Sequence, residues 1–261
     1  MPEPSQQKRH DSIDAVSFDD ASSRGLNDLP GPVESPISLV FNDTAYATLL
    51  ATPDQLDYLA IGFAHSEGLI DRREEVEAIQ VERSRHGFRV RLEVSARIAR
   101  RAAGQSRATL STSGCGACGV QEESQLLFGL TRLPSVALPS PVVLASGLRA
   151  LDDEAAAGMH LALSLDVQGQ VMAVGRDIGR HNALDKVIGQ HLARSEMPSL
   201  ILTSSRCSLE LVQKSVRAGV PALATLSYPS RLAVEVARSC NLTLINCHRG
   251  RRLELLSRGD A

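Results

Sequence analysis

Two cysteines set the problem. Cys115 and Cys118 sit two residues apart in STSGCGACG, residues Ser111 to Gly119, with Gly114, Gly116 and Gly119 around them. Such a glycine-dense stretch makes a poor helix and a poor strand, so it reads as a mobile loop presenting two thiols. Paired thiols there could form a dithiol redox couple, supply half of a metal site, or act as a nucleophile that carries sulfur. A zinc centre needs four protein ligands, or three and a water. The chain offers Cys207, Cys240, Cys247 and seven histidines, but no second C-x-x-C and no H-x-E. No metal site is therefore expected. A thioredoxin-like couple would place the pair where a strand runs into a helix, whereas a glycine-rich loop can swing a thiol between two places.

Three further groups could hold an anion. Gly175-Arg176-Asp177-Ile178-Gly179-Arg180-His181-Asn182 follows an expected strand and precedes an expected helix. Gly179 permits close backbone approach, the helix start offers free N–H groups, and Arg180 and His181 add donors. The spacing matches neither a P-loop nor a dinucleotide fingerprint. The plainer alternative is a structural turn in which Arg180 pairs with Asp177 or Asp185. Thr203-Ser204-Ser205-Arg206 closes another expected strand, where open α/β sheets bind ligands; helix capping by Ser205 or Ser208 is the competing use. Cys247-His248-Arg249-Gly250-Arg251-Arg252 follows the last expected strand, and its three arginines could grip a multiply charged anion. A solvated basic terminus would look the same. His160, after Gly158, opens a strand and reads first as a structural histidine.

The rest of the chain must position these groups. Of 261 residues, 43% are hydrophobic and only 3% aromatic, with no tryptophan, so the core must be aliphatic. A net charge of −2 gives no global attraction to nucleic acid or membrane. No apolar run approaches the roughly 20 residues of a membrane span. Five cysteines, an odd number, are too few for a disulfide scaffold. A cytoplasmic, reduced protein is expected.

Residues 1–35 read as a disordered tail. Hairpins are expected at Ile37–Phe41 with Ala45–Leu50, and at Val76–Glu82 with Phe88–Val94. Between them Thr52 should cap a helix, with Pro53 in its first turn, Gln55 completing a capping box and Gly68 ending the run. Arg97, Arg100, Arg101 and Arg107 cluster before the cysteine loop. Glu122–Gly129 is weakly helical, and Pro134, Pro139 and Pro141 interrupt the next stretch. Leu144–Ala157 should be a helix, and Leu161–Val167 with Val171–Val174 a hairpin. Helices at Asn182–Ala193, Ser208–Ala218 and Ser230–Ser239 alternate with strands at Leu200–Thr203, Val220–Thr225 and Leu242–Asn246. That alternation predicts crossover units on a largely parallel sheet with helices on both faces. The fold class is α/β, divided as a tail (1–35), an N-terminal α+β part (36–110), the cysteine loop (111–120) and an α/β domain (121–261).

In order, a CGxCG loop, a G-x-H segment, GRDIGRHNALDKVIG, SSRCSLELVQK and a terminal R-G-x-R after a strand resemble the formate dehydrogenase accessory sulfurtransferase (FdhD) family from about Pro36 onward. The chain differs from the family pattern at Arg176, at Ala156-Ala157-Gly158, at Ser205, and at Cys247 and His248. The resemblance implies a three-layer, cytidine-deaminase-like α/β domain without catalytic zinc, in a homodimer. It implies a sulfurtransferase that takes persulfide sulfur from a cysteine desulfurase. The sulfur passes to the molybdenum cofactor, in its bis-guanine-dinucleotide form, before that cargo enters formate dehydrogenase. Cys115 would carry the persulfide, with Cys118 as partner. Residues Cys247 to Arg252, with Arg180, His181, Ser204, Arg206 and His160, would hold the cargo; no permanent cofactor is implied. The alternative is a cofactor-binding chaperone without sulfur transfer.

Overall fold

The computed structural model describes residues 22–23, 25, 31–105, 129–248 and 252–259. The expected tail lies almost wholly outside them, as do the cysteine loop and residues 122–128 of the weak helix. Residues 1–31 form a unit of their own, described only at residues 22–23, which make a turn, and at 25 and 31.

Residues 32–261 carry two sheets. The first has the order β2-β1-β4-β3. Strands β1 (Ser35–Phe41) and β2 (Thr44–Ala51) form one expected hairpin, and β3 (Val76–Arg83) and β4 (Phe88–Val94) the other. The hairpins join through parallel pairing of β1 with β4. Alternate residues such as Ile37, Leu39, Phe41, Val90 and Leu92 are buried, and they pack against α1 (Leu56–Ser66) and α2 (Ala96–Gln105). Arg97, Arg100 and Arg101 thus lie on a helix, while Arg107 falls outside the described residues. Alanine and arginine are strong helix formers, and Ile98 and Ala102, one turn apart, bury the inner face.

The second sheet has the order β10-β9-β8-β7-β5-β6. Strands β7 (Leu200–Arg206), β8 (Ala222–Ser227) and β9 (Thr243–Asn246) are parallel. The sheet is nevertheless mixed, which corrects the expectation of a largely parallel one. β5 (His160–Leu165) runs antiparallel to both β6 (Val171–Asp177) and β7, and β10 (Glu254–Ser257) returns antiparallel along β9. The physical reason is connection length. Short links, as between β5 and β6 or β9 and β10, permit only antiparallel neighbours, while α5 (Leu209–Arg217) and α6 (Arg231–Ser239) supply the crossovers for β7 to β9. Helix α3 (Pro141–Asp153) covers one face of the sheet, and α4 (Arg180–Arg194), α5 and α6 cover the other. Helix α3 starts at Pro141, not Leu144. Ser140 caps it, accepting the Val143 N–H at 3.3 Å, and proline is favourable in a first turn.

Helix α4 lies between the layers and is buried from His181 to His191. Its sequence is not amphipathic because both faces are covered. Gly62 of α1 and Gly189 of α4 allow the two helices to touch. A Cβ at Gly62 would run into the Asp185 carbonyl, and one at Gly189 into the Tyr58 carbonyl. Several buried polar groups of α4 have partners, as their desolvation demands. Asp185 takes both oxygens to Lys214 (2.8 and 2.7 Å) and accepts from Ser66 (2.7 Å). Gln190 donates to the Val174 carbonyl (2.9 Å), and His191 bonds Ser164 (2.7 Å).

Candidate functional site at one edge of the second sheet

Strand register brings the described candidates to one edge. His160 at the start of β5 pairs with Asp177 at the end of β6, Arg206 with Ser227, and Asn246 with Glu254. Asp177, Arg206, Ser227 and Asn246 all close their strands, so the edge gathers His160, Arg180, His181, Ser204, Arg206, His248 and Arg252. Cys115, Cys118, Arg249, Gly250 and Arg251 lie outside the described residues. No helix among the described residues is long and apolar enough to cross a membrane, and no three His, Cys, Asp or Glu residues among them are grouped to hold a metal ion.

Asp177 builds the turn that carries Arg180. Fully buried, its carboxylate accepts from the backbone N–H of Gly179 (2.8 Å) and Thr52 (3.1 Å), from Asn182 Nδ2 (2.9 Å), and from Lys186 Nζ (2.9 Å). Lys186, also fully buried, donates further to the carbonyls of Thr52 (3.1 Å) and Arg176 (2.8 Å) and to Asp54. Thr52 is therefore not the expected helix cap. Gln55 takes that position in a left-handed conformation with no side-chain cap, while the Thr52 hydroxyl accepts the Ile178 N–H at 3.2 Å. The TPDQ sequence looks like a helix start, but its threonine and aspartate are drawn to a lysine 132 or more residues away.

Both proposed partners of Arg180 are thus engaged by lysines, Asp177 by Lys186 and Asp185 by Lys214. Arg180 Nε is buried with no hydrogen-bond partner among the described residues. Its charge, after burial, helps hold the His160 imidazole below the usual histidine range, and His181 adds to the same effect. His181 lies in the first turn of α4, with its side chain 5% exposed, and its Nε2 is 3.7 Å from Glu210 Oε2 in the first turn of α5. Burial lowers the His181 pKa, against an opposing pull from Glu210. His181 and then Ser208 hold Glu210 ionised, down to about 2. Beside them, burial pushes the Cys207 thiol up to about 12.

Ser204 and Arg206 diverge. The Ser204 hydroxyl accepts the Leu161 N–H at 2.9 Å and ties β5 to β7, while Arg206 is exposed. At the far end of the edge, Cys247 is fully buried in the cluster under α3, and burial lifts its thiol to about 11. Its neighbour His248 has φ +32°, a left-handed conformation costly for a residue with a side chain. The ring bonds Glu254 at 2.7 Å and meets the Tyr228 ring edge-on, 5.6 Å between centroids. The Tyr228 hydroxyl donates to the other Glu254 oxygen at 3.0 Å. His248 and then Tyr228 hold the Glu254 carboxyl low, and Arg252 adds to this.

Sequence reasoning took Thr52 for a helix cap and passed over Asp54, Glu210, Tyr228 and Glu254 as site residues. Glu210 sits inside SSRCSLELVQK, three residues after Cys207. Tyr228 and Glu254 gave no signal, because only the return of β10 brings them together.

A family model described as FdhD/NarQ matches residues 32–260. Curated relatives called "Sulfur carrier protein FdhD" include one from Bordetella petrii, 37% identical over 81% of this chain and 79% of its own length. Another, from Burkholderia mallei, is 38% identical over 82% of this chain and 83% of its own. Among solved structures, a putative formate dehydrogenase accessory protein from Desulfotalea psychrophila superposes with a TM-score of 0.67 at 22% identity, covering 86% of this chain and 87% of that one.

Proposed function

The chain belongs to the FdhD/NarQ family, and from that premise we propose that it is a sulfur carrier acting in formate dehydrogenase maturation. A cysteine desulfurase supplies the sulfur. Cys115, as thiolate, attacks the donor persulfide, becomes Cys115–S–SH and releases the donor thiol. The cargo is the molybdenum cofactor in its bis-guanine-dinucleotide form, gripped by its phosphates along the sheet edge, and it receives the terminal sulfur. The two-faced second sheet is consistent with a cytidine-deaminase-like layering, and a homodimer is part of the same proposal.

One observation carries the reading: cationic and hydrogen-bonding groups from five strand ends converge on one edge, in a chain whose relatives are named as sulfur carriers. Mass spectrometry after incubation with a cysteine desulfurase and cysteine should find one added sulfur on Cys115. The Cys115→Ala variant should fold yet fail to activate its client dehydrogenase. Full client activation by that variant would remove the sulfur step and leave a chaperone. Arg252→Ala should weaken guanosine diphosphate binding in calorimetry; unchanged affinity would take Arg252 out of the cargo site.

A further inference from the structure

Tyr228 follows β8 directly, on the link to α6, and is 55% exposed. The other described aromatic rings, Phe41, Tyr46, Tyr58, Phe63 and Phe88, lie in or against the core of the first sheet. Among the described residues Tyr228 is thus the one aromatic side chain open to solvent. Single exposed apolar residues are ordinary on a protein surface. This one, however, is held in place. Its hydroxyl donates to Glu254 at 3.0 Å, the other Glu254 oxygen bonds the His248 ring at 2.7 Å, and the His248 backbone N–H donates to Asn246 Oδ1 at 3.2 Å. The chain of bonds runs from the link after β8, through β10, to the end of β9. The His248 ring meets the Tyr228 ring edge-on, so it takes at most one face. His248 does so with φ +32°, and backbone strain of this kind gathers at ligand sites.

The surroundings of the ring are cationic. Tyr228 borders a recess of about 810 Å³ between α6 and β10, lined also by Arg231, Val234, Glu235, Arg238 and Leu256. Arg238 ties the two walls together by donating Nε to the Leu256 carbonyl at 3.0 Å. Arg252 is near enough for its charge to act on both Tyr228 and Glu254. Two arginines and one glutamate line the recess, and Glu254 already has its partners, so the local balance favours an anion.

A fixed aromatic ring beside arginines suits a ligand that joins a flat ring to a phosphate. We infer that Tyr228 is the stacking platform for a purine base of the nucleotide cargo. The inference rests on the nucleotide-cargo reading and adds to it a residue outside the basic segment 247–252, on a different element. The hydrogen bond to Glu254 fixes the ring before the ligand arrives, which lowers the cost of ordering it on binding. Stacking reads the face of a base rather than its hydrogen-bonding edge. Tyr228 therefore supplies affinity and orientation, and the choice of guanine falls to other groups.

The chain contains no tryptophan, so Tyr228→Trp places a single fluorescent reporter at the platform. In the full chain its emission should be quenched saturably by guanosine diphosphate and left unchanged by inorganic pyrophosphate, which carries the phosphates without the base. In calorimetry, Tyr228→Leu should bind guanosine diphosphate about tenfold or more weakly than the wild type, with its response to pyrophosphate unaltered. Tyr228→Phe, which keeps the ring and loses only the hydroxyl anchor, should recover most of that loss. Undiminished binding by Tyr228→Leu would overturn the inference, as would an equal loss for pyrophosphate. So would a Tyr228→Trp variant that binds guanosine diphosphate in calorimetry without quenching, a readout that stands even where Tyr228→Leu fails to fold. A wild type that binds pyrophosphate and gains nothing from the base loses the platform and keeps the phosphate grip; one that binds neither loses both. Sulfur on Cys115 is read separately by mass, so the carrier step is judged independently of this site.

Discussion

At the scale of single residues, the cysteines divide by environment. Burial holds the Cys207 thiol up at about 12 and the Cys247 thiol at about 11, and raises that of Cys240. Only thiolates react at useful rates. Native protein treated with iodoacetamide at pH 8 should therefore leave these three unlabelled, with label appearing only after unfolding; rapid native labelling of Cys207 would contradict its burial. His191 supplies a second prediction. Burial drops its pKa to about 4, well below the ordinary histidine value. The unfolded chain then binds more protons than the folded one between about pH 4 and 6.5, so this contribution to stability is full above that window and is lost as pH falls through it. Urea unfolding of the wild type should lose roughly 2–3 kcal/mol from this residue between pH 7 and pH 4. A His191→Gln variant should show a correspondingly flatter profile.

At the scale of elements, periodicity was a good guide where one face is buried and a poor one where two are. Both hairpins of the first sheet and the strands β7 to β9 were legible from alternation and apolar runs. The start of α1 was not, because Thr52 and Asp54 serve Asp177 and Lys186 rather than their own helix. β10 escaped notice because four residues at a sheet edge carry little pattern. At the candidate site, the histidines and arginines could be named from their place after strands. Their pairings could not, because Glu210 and Glu254 belong to other elements. The contact of α4 with α5 rests on Asp185 and Lys214, buried and bidentate. Lys214→Met, which leaves Asp185 charged and unpaired, should cost about 3–5 kcal/mol in chemical denaturation. The double variant with Asp185→Leu should recover much of that loss; equal losses in single and double variants would show that the pair matters only as packing.

At the scale of the molecule, the first sheet and the second meet through α1 and α4 rather than through their strands. Lys186 reinforces this junction by joining the end of β2 to the end of β6. The sheet edge that carries His160, Arg180 and His181 is therefore set partly by the first 105 residues, through Thr52. The paired glycines at the crossing have a further consequence. The contact they permit is made by two segments far apart in sequence, so it does not depend on the peptide bonds between them. Residues 32–105 and 129–259, co-expressed as two separate polypeptides, should reassemble and co-purify. Gly189→Leu, whose side chain would meet the Tyr58 carbonyl, should abolish that reassembly while the uninterrupted chain, with its far higher effective concentration, still folds in part.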